Sequence, residues 1–266
     1  MLLVVDVGNS NVKFGLFTGD VLSDQWRIRT QIGRTSDEYA SLLETLFSRT
    51  GVTFSDISRV AVASVVPRST PDIAKFARDI LSVEPLIVDA NSDIGIEVRY
   101  SPPSDVGPDR LVDSVAAVHF YGCPCIVVDF GTGTTLNAII PSTIPGSNAI
   151  YLGGAICPGI GISLDALYSR AAKLSSVEIS KPESAIGSDT RAALQSGVVF
   201  GYAGQVDALV KRFQTELDSP TCPVIATGGH MTQAILDASS TITQYDPLLT
   251  LQGLRLAHDR ISHNLP

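Results

Sequence analysis

The chain opens with an apolar run at residues 2–5 that stops at Asp6. A polar tip at 8–11 follows, then an alternating run at 11–17. This pattern predicts a buried strand and its hairpin partner. A third strand is predicted at 21–28. Thr35, Ser36, Asp37 and Glu38 have capping-box order, with Leu42, Leu43, Leu46 and Phe47 following at helical spacing. A helix therefore runs from Thr35 towards Gly51. Residues 60–66 predict an apolar strand. Thr70-Pro71 predicts a helix start, with Pro where its missing N–H costs nothing, and 85–88 a short strand. A loop at 101–110 leads into a helix through Leu111, Val112, Val115, Ala116 and Val118, ended by Gly122. Residues 125–130 read as a buried strand, with a second hairpin running to 140. Residues 158–163 turn into a helix carrying Leu164, Leu167 and Ala171. Residues 189–217 read as largely helical, with Gly197, Gly201 and Gly204 on one side, a stripe that suits close helix packing. A strand at 224–226, a helix opened by Gly228-Gly229 and a final helix at 250–261 complete the pattern. Strands and helices alternate, which predicts an α/β protein.

The pattern also repeats. "VVDVGNSNVKFGLF" from Val4 can be laid on "VVDFGTGTTLNAII" from Val127. Both read Val-Val-Asp-x-Gly, then small and hydroxyl or amide residues, then a strand. The copies are too far apart for a solenoid unit and predict two similar domains, divided as 1–112 and 113–266. The turn suits phosphate. Gly8 and Gly131 are expected to take φ > 0 and let backbone approach a ligand. Turn N–H groups form a small anion nest, and Asn9, Ser10, Asn11, Thr132, Thr134 and Thr135 add donors. Asp6 and Asp129 end their strands, and a carboxylate beside a polyphosphate implies a cation between them. Mg²⁺ takes one or two carboxylates and keeps its waters. A single Asp-x-Gly is an ordinary hairpin turn; two with the same lead-in predict a nucleotide clamp between two domains. "VIATGGHM" adds a strand followed by paired glycines, against which a flat ring could lie.

Composition narrows the partners. The 266 residues are 44% apolar and 17% charged, with net charge −8 and no Lys/Arg cluster. That argues against nucleic acid and against an anionic membrane surface. The uncharged stretch 130–164 is too rich in Pro and Gly for a membrane helix and reads as strands and loops around a cleft. The start has no basic n-region before Asp6, so a cytoplasmic protein is expected. Cys123, Cys125, Cys157 and Cys222 complete no zinc set and read as buried thiols.

The catalytic candidate is Asp109 in "GPDRLVDS", in a first helical turn whose dipole favours a carboxylate. Gly107 and Pro108 fix the turn, Arg110 adds a fork suited to carboxylate or phosphate, and Tyr100 lies upstream on the same loop. A base and an Arg beside a nucleotide clamp form a phosphoryl-transfer constellation. There is neither a P-loop nor a dinucleotide-binding glycine motif.

Together these residues resemble the type III pantothenate kinases. Residues 6–13, Tyr100, "GPDR", "DFGTGTT", "GGAICPGIGISLDAL", "IGSDTRAALQSG", "ATGGH" and "DPLLTLQGLRL" fall in the family's order and cover nearly the whole chain. The resemblance implies an actin-like ATPase fold of two RNase H-like domains with mixed sheets flanked by helices. It implies transfer of the γ-phosphate of ATP to pantothenate, the first step towards coenzyme A. It implies ATP binding by Asp6, Val7, Gly8, Asn9, Ser10, Asn11, Val12, Lys13 and Thr132, with Asp6 holding Mg²⁺ through water. It implies a monovalent cation, K⁺ or NH₄⁺, on Asp129. Pantothenate is expected at Tyr100, Gly107, Pro108, Asp109, Arg110 and Thr190, with Asp109 as base and Thr190 acting across a homodimer interface. Ser10 stands where the family usually has Thr, Pro108 and Gly133 where Ala is common, and Asn137 where Asp is frequent. A sugar kinase of the same fold would share the hairpins but not the GPDR loop. A non-catalytic relative would be expected to lack Asp6 or Asp109.

Overall fold

Six consecutive buried residues, Leu2–Val7, form strand β1 at the centre of the first sheet. Both faces of β1 must be covered, and the computed structural model, which describes residues 1–171 and 177–264, shows how. β2 (Asn11–Thr18) pairs antiparallel with β1, and β3 (Val21–Arg29) antiparallel with β2. β4 (Arg59–Ser64) and β5 (Leu86–Val88) add parallel strands, giving the order β3-β2-β1-β4-β5. Leu3, Val5 and Val7 face a core that includes Tyr39, Leu43 and Phe47 of helix α1 (Ser36–Phe47) and Ile73 of α2 (Thr70–Lys75). Thr35 caps α1 with the expected reciprocal box, which satisfies two helix-end donors. α2 continues into a π-helical turn, Phe76–Ile80. A short strand, β6 (Ile96–Val98), precedes helix α3 (Pro108–Tyr121).

In the second unit β7 (Cys125–Phe130) and β8 (Gly133–Pro141) form the second hairpin. β9 (Ala149–Pro158) pairs antiparallel with β8. β10 (Val224–Thr227) runs parallel to β7, and β11 (Gln244–Tyr245) parallel to β10. Ile126, Val128 and Phe130 face a core with Ile160 of α4 (Ile160–Arg170) and Val198, Val206 and Val210 of α5 (Thr190–Glu216). Helix α6 (Gln233–Ala238) is capped by Thr232, so it begins later than Gly228-Gly229 suggested. All four cysteines are free thiols. Among the described residues no helix is long and apolar enough to cross a membrane.

The compact units are Met1–Ala116 with the C-terminal helix, and Ala117–Leu248. They differ from a division at 112/113 chiefly in the placement of that helix, α7 (Leu249–Asn264). It packs on β1, β2, β4 and β5, with Leu251, Leu254 and Ala257 buried. Gly253 allows the close approach: a Cβ there would overlap the Val112 carbonyl of α3. Buried Arg255 reaches Asp20 at 2.7 Å. The glycine stripe on α5 does not pack a helix. Gly197, Gly201 and Gly204 are exposed, and nothing lies within 4 Å of a Cβ built on any of them.

Candidate active site

In the first unit, strand alternation decides where Asp6 goes. Leu3, Val5 and Val7 point to the α1 core, so Asp6 shares the opposite face with Val4, which approaches α7 beside Gly15. Asp6 is only 6% exposed. Lys13 is its cross-strand partner, and Lys13 Nζ lies 3.3 Å from Asp6 Oδ2. Burial pushes the Asp6 carboxyl above its usual range; Lys13 opposes that shift, and the nearby charge of Asp109 adds to it.

Asp109 stands in the first turn of α3, after Pro108 at its first position. Its Oδ1 accepts the Arg110 backbone N–H at 2.8 Å. Burial raises its carboxyl too, while that hydrogen bond and the charges of Arg110 and Lys13 pull it down. Lys13 thus sits in the field of both acids. Gly107 makes room for this arrangement. A Cβ at that position would overlap Asp109 Oδ1 and come within 3.2 Å of Val65 Cγ1. The first unit therefore assembles Asp6, Lys13, Gly107, Asp109 and Arg110. Tyr100 lies on the exposed loop before them.

The hairpin tip differs from the expectation in one respect. Neither Gly8 nor Gly131 adopts positive φ. Each instead closes its turn by a backbone bond, Gly8 N–H to Asn11 O and Gly131 N–H to Gly133 O, both 3.0 Å. Val7 and Val12 are fully buried, so their side chains belong to the core and only their backbone can meet a ligand. Asn9 and Ser10 form the exposed tip, with Asn11 half-buried. Thr30, which the sequence pattern did not single out, braces this tip. Its hydroxyl donates to Gly8 O at 2.6 Å and its N–H to Ser10 O at 3.0 Å.

In the second unit Asp129 also lies on the sheet face opposite the core helices. The carboxylate is walled by glycines. A Cβ on Gly228 (φ 101°) would overlap Asp129 Oδ1, and one on Gly131 would sit 3.2 Å from Oδ2. Thr227 and Thr135 are its register partners on the two flanking strands. An anionic group flanked by threonines and glycines suits a small cation. Thr132 packs its carbonyl against Gly159, at the turn into α4. Thr190 is the exposed first residue of α5, next to the N-cap Asp189. Among the described residues no group of three or more His, Cys, Asp or Glu could hold a metal ion by itself. A divalent ion at Asp6 would have to be completed by water and phosphate oxygens, which is how Mg²⁺ is commonly bound.

Component A of the (R)-2-hydroxyglutaryl-CoA dehydratase of Acidaminococcus fermentans has a TM-score of 0.57 at 12% identity, covering 98% of each chain. A putative 2-dehydro-3-deoxygalactonokinase from Sinorhizobium meliloti has a TM-score of 0.54 at 14% identity, covering 100% of this chain and 97% of its own. These show the shared mixed α/β fold and nothing finer. Sequence relatives are much nearer. The type III pantothenate kinase of Brevibacillus brevis is 43% identical over 98% of this chain and 99% of its own. That of a Roseiflexus strain is 44% identical over 97% and 98%. The family model described as type III pantothenate kinase matches residues 2–212. With these matches spanning nearly its whole length, the chain belongs to the type III pantothenate kinase family.

Proposed function

We infer that this chain transfers the γ-phosphoryl group of ATP to the primary hydroxyl of pantothenate, giving 4'-phosphopantothenate, the first step of coenzyme A biosynthesis. Full-length similarity to named pantothenate kinases carries this reading. The grouping of Asp6, Lys13 and Asp109 in one unit gives it a chemistry.

In this reading the hairpin tip from Asp6 to Lys13, with Thr132, binds ATP. Asp6 holds Mg²⁺ through water and Asp129 holds K⁺ or NH₄⁺; when bound, these ions screen the charge of the phosphates. Tyr100, Gly107, Pro108, Arg110 and Thr190 bind pantothenate, and the Arg110 fork suits its carboxylate. Asp109 accepts the hydroxyl proton. A carboxylate is a weak base towards an alcohol. In a loose phosphoryl transition state the proton leaves late, so orientation matters more than basicity. The Arg110 N–H and the space left at Gly107 supply that orientation. Lys13, between the two acids, offsets charge where phosphate oxygens would arrive. The working form is a homodimer in the cytoplasm.

Purified protein given ATP and Mg²⁺ is expected to release ADP with pantothenate and not with sugars. Phosphorylation of a sugar, with pantothenate untouched, overturns this reading.

A further inference from the structure

The two hairpin tips are held in different ways. Beside each tip a third strand comes to its end. In the first unit β3 pairs with β2 as far as Arg29 opposite Asn11, and the next residue is Thr30. In the second, β9 pairs with β8 as far as Pro158 opposite Gly133, and the next residue is Gly159. Gly159 has no side chain, and the Thr132 carbonyl leaves no room for one. At the matching place in the first unit, Thr30 brings a hydroxyl to the tip.

Both donors of Thr30 go to tip carbonyls, the hydroxyl to Gly8 O at 2.6 Å and the N–H to Ser10 O at 3.0 Å. The Gly8–Asn9 and Ser10–Asn11 peptides are trans. In a planar trans peptide the C=O and the N–H point in opposite directions. Turning Gly8 O and Ser10 O towards Thr30 therefore aims the Asn9 and Asn11 N–H groups away from it. Neighbouring N–H groups aimed the same way are what a turn offers an anion. Thr30 is itself anchored on both sides. Arg34 Nη1 donates to Arg29 O at 3.0 Å, and Nη2 donates to Gln31 Oε1 at 3.3 Å. The Arg34 guanidinium lies over the ring of Tyr39, 5.5 Å from its centroid, and Tyr39 is fully buried in the α1 core. The brace on the tip thus runs back to the core of the unit.

We propose that Thr30 is a positioning residue for phosphoryl transfer: by holding the Gly8 and Ser10 carbonyls it keeps the Asn9 and Asn11 N–H groups turned towards the ATP phosphates. This rests on the reading of residues 6–13 as the ATP site. Thr30 acts through the tip and does not itself meet a substrate. Its effect belongs to ATP alone, because Tyr100 and the residues from Gly107 to Arg110, read as the pantothenate site, are on a different loop.

The test compares wild type with Thr30→Val, Thr30→Ala and Thr30→Ser, reading the KM for ATP, the KM for pantothenate and the melting temperature. Val keeps the shape and loses the hydroxyl, Ala loses both, and Ser keeps the hydroxyl. Val and Ala should each raise the KM for ATP about 10-fold, the scale of one lost hydrogen bond, with the KM for pantothenate unchanged. Ser should restore the wild-type value. A lower melting temperature with the KM for ATP unchanged would show that Thr30 serves only the fold, which overturns the proposal. Equal rises in both KM values, or a Ser variant as impaired as Val, overturn it too. Lys13→Met tests the underlying reading separately. If it also leaves the KM for ATP unchanged, residues 6–13 are not the ATP site and the proposal falls with that reading. A rise in Lys13→Met without one in Thr30→Val overturns the role of Thr30 alone.

Discussion

Gly107 has no side chain, and the carboxylate of Asp109 lies where a methyl group would be. The atom in the way is the end of a side chain, so the backbone need not move. Gly107→Ala is expected to turn Asp109 aside and lower kcat about 10²-fold, the scale of misplacing a reacting group by an ångström. The melting temperature should change little; a large drop in stability with normal kcat would show that Gly107 serves the fold instead. Asp109→Asn keeps the shape and removes the proposed base. Turnover should fall about 10²–10⁴-fold with ATP affinity retained, as read by calorimetry. The pH profile provides a third check. Burial raises both Asp6 and Asp109, and Lys13 holds both down. The reactive base is ionised, so the acid limb of kcat/KM should lie above the ordinary carboxylate value. Removing the ammonium in Lys13→Met should move that limb to higher pH, and a limb that stays in place would refute the coupling. The limb belongs to the pair of acids jointly, since each feels the other.

Among the elements, the loop after α6 depends on one side chain of α5. Asp207 accepts bonds from the hydroxyls of Ser239, Ser240 and Thr241 at 2.6–2.7 Å and from the backbone N–H groups of Ser240 and Thr241. These bonds draw its pKa down to about 2. A carboxyl lowered in the folded state adds stability that is complete above its unfolded value, near 3.8, and is lost as pH falls towards 2. The group is partly exposed, so after solvent screening the contribution is about 1 kcal/mol. Asp207→Asn should lower the urea midpoint at pH 7, with the gap closing between about pH 4 and about pH 2; a gap independent of pH would rule out the charge as its source. Much at this scale was legible in the sequence. The capping box at Thr35, both hairpins and α3 after Pro108 lie where local chemistry put them, because each is set by neighbours in the chain. β9 was not legible. Its run "AIYLGGAICP" contains Gly153 and Gly154 and ends in Pro. Gly154 is there because the Leu136 carbonyl leaves no room for a Cβ, and only the tertiary pairing reveals that. The Asp6–Lys13 contact was latent in the hairpin, but reading it required the register. Thr30 is invisible in the sequence because its partners, Gly8 and Ser10, lie some twenty residues earlier.

At the scale of the molecule, the exposed apolar residues of the second unit are candidates for the surface of the proposed homodimer. Ile156 on β9 is 66% exposed, Ile162 on α4 47% and Leu167 42%. The α5 stripe of Gly197, Gly201 and Gly204 is exposed as well. The three elements meet at one junction, where the Tyr202 hydroxyl reaches Ser163 Oγ at 2.7 Å and Pro158 O at 3.4 Å. Ile156, Ile162 and Gly201 each lie within two residues of that junction. Small residues let helices approach closely, and exposed aliphatics add apolar area that a symmetric pair could bury. A two-fold interface buries the same patch twice, so a single change is felt on both sides. Gly201→Glu places two like charges at the pairing surface while leaving the buried face of α5 unchanged. Wild type is expected to sediment as a dimer and Gly201→Glu as a monomer with an unaltered far-ultraviolet spectrum. Thr190 begins the same helix, so if it reaches pantothenate across the interface, the monomer should show a raised KM for pantothenate and an unchanged KM for ATP. A wild type that sediments as a monomer at assay concentration would remove both the dimer and the shared pocket.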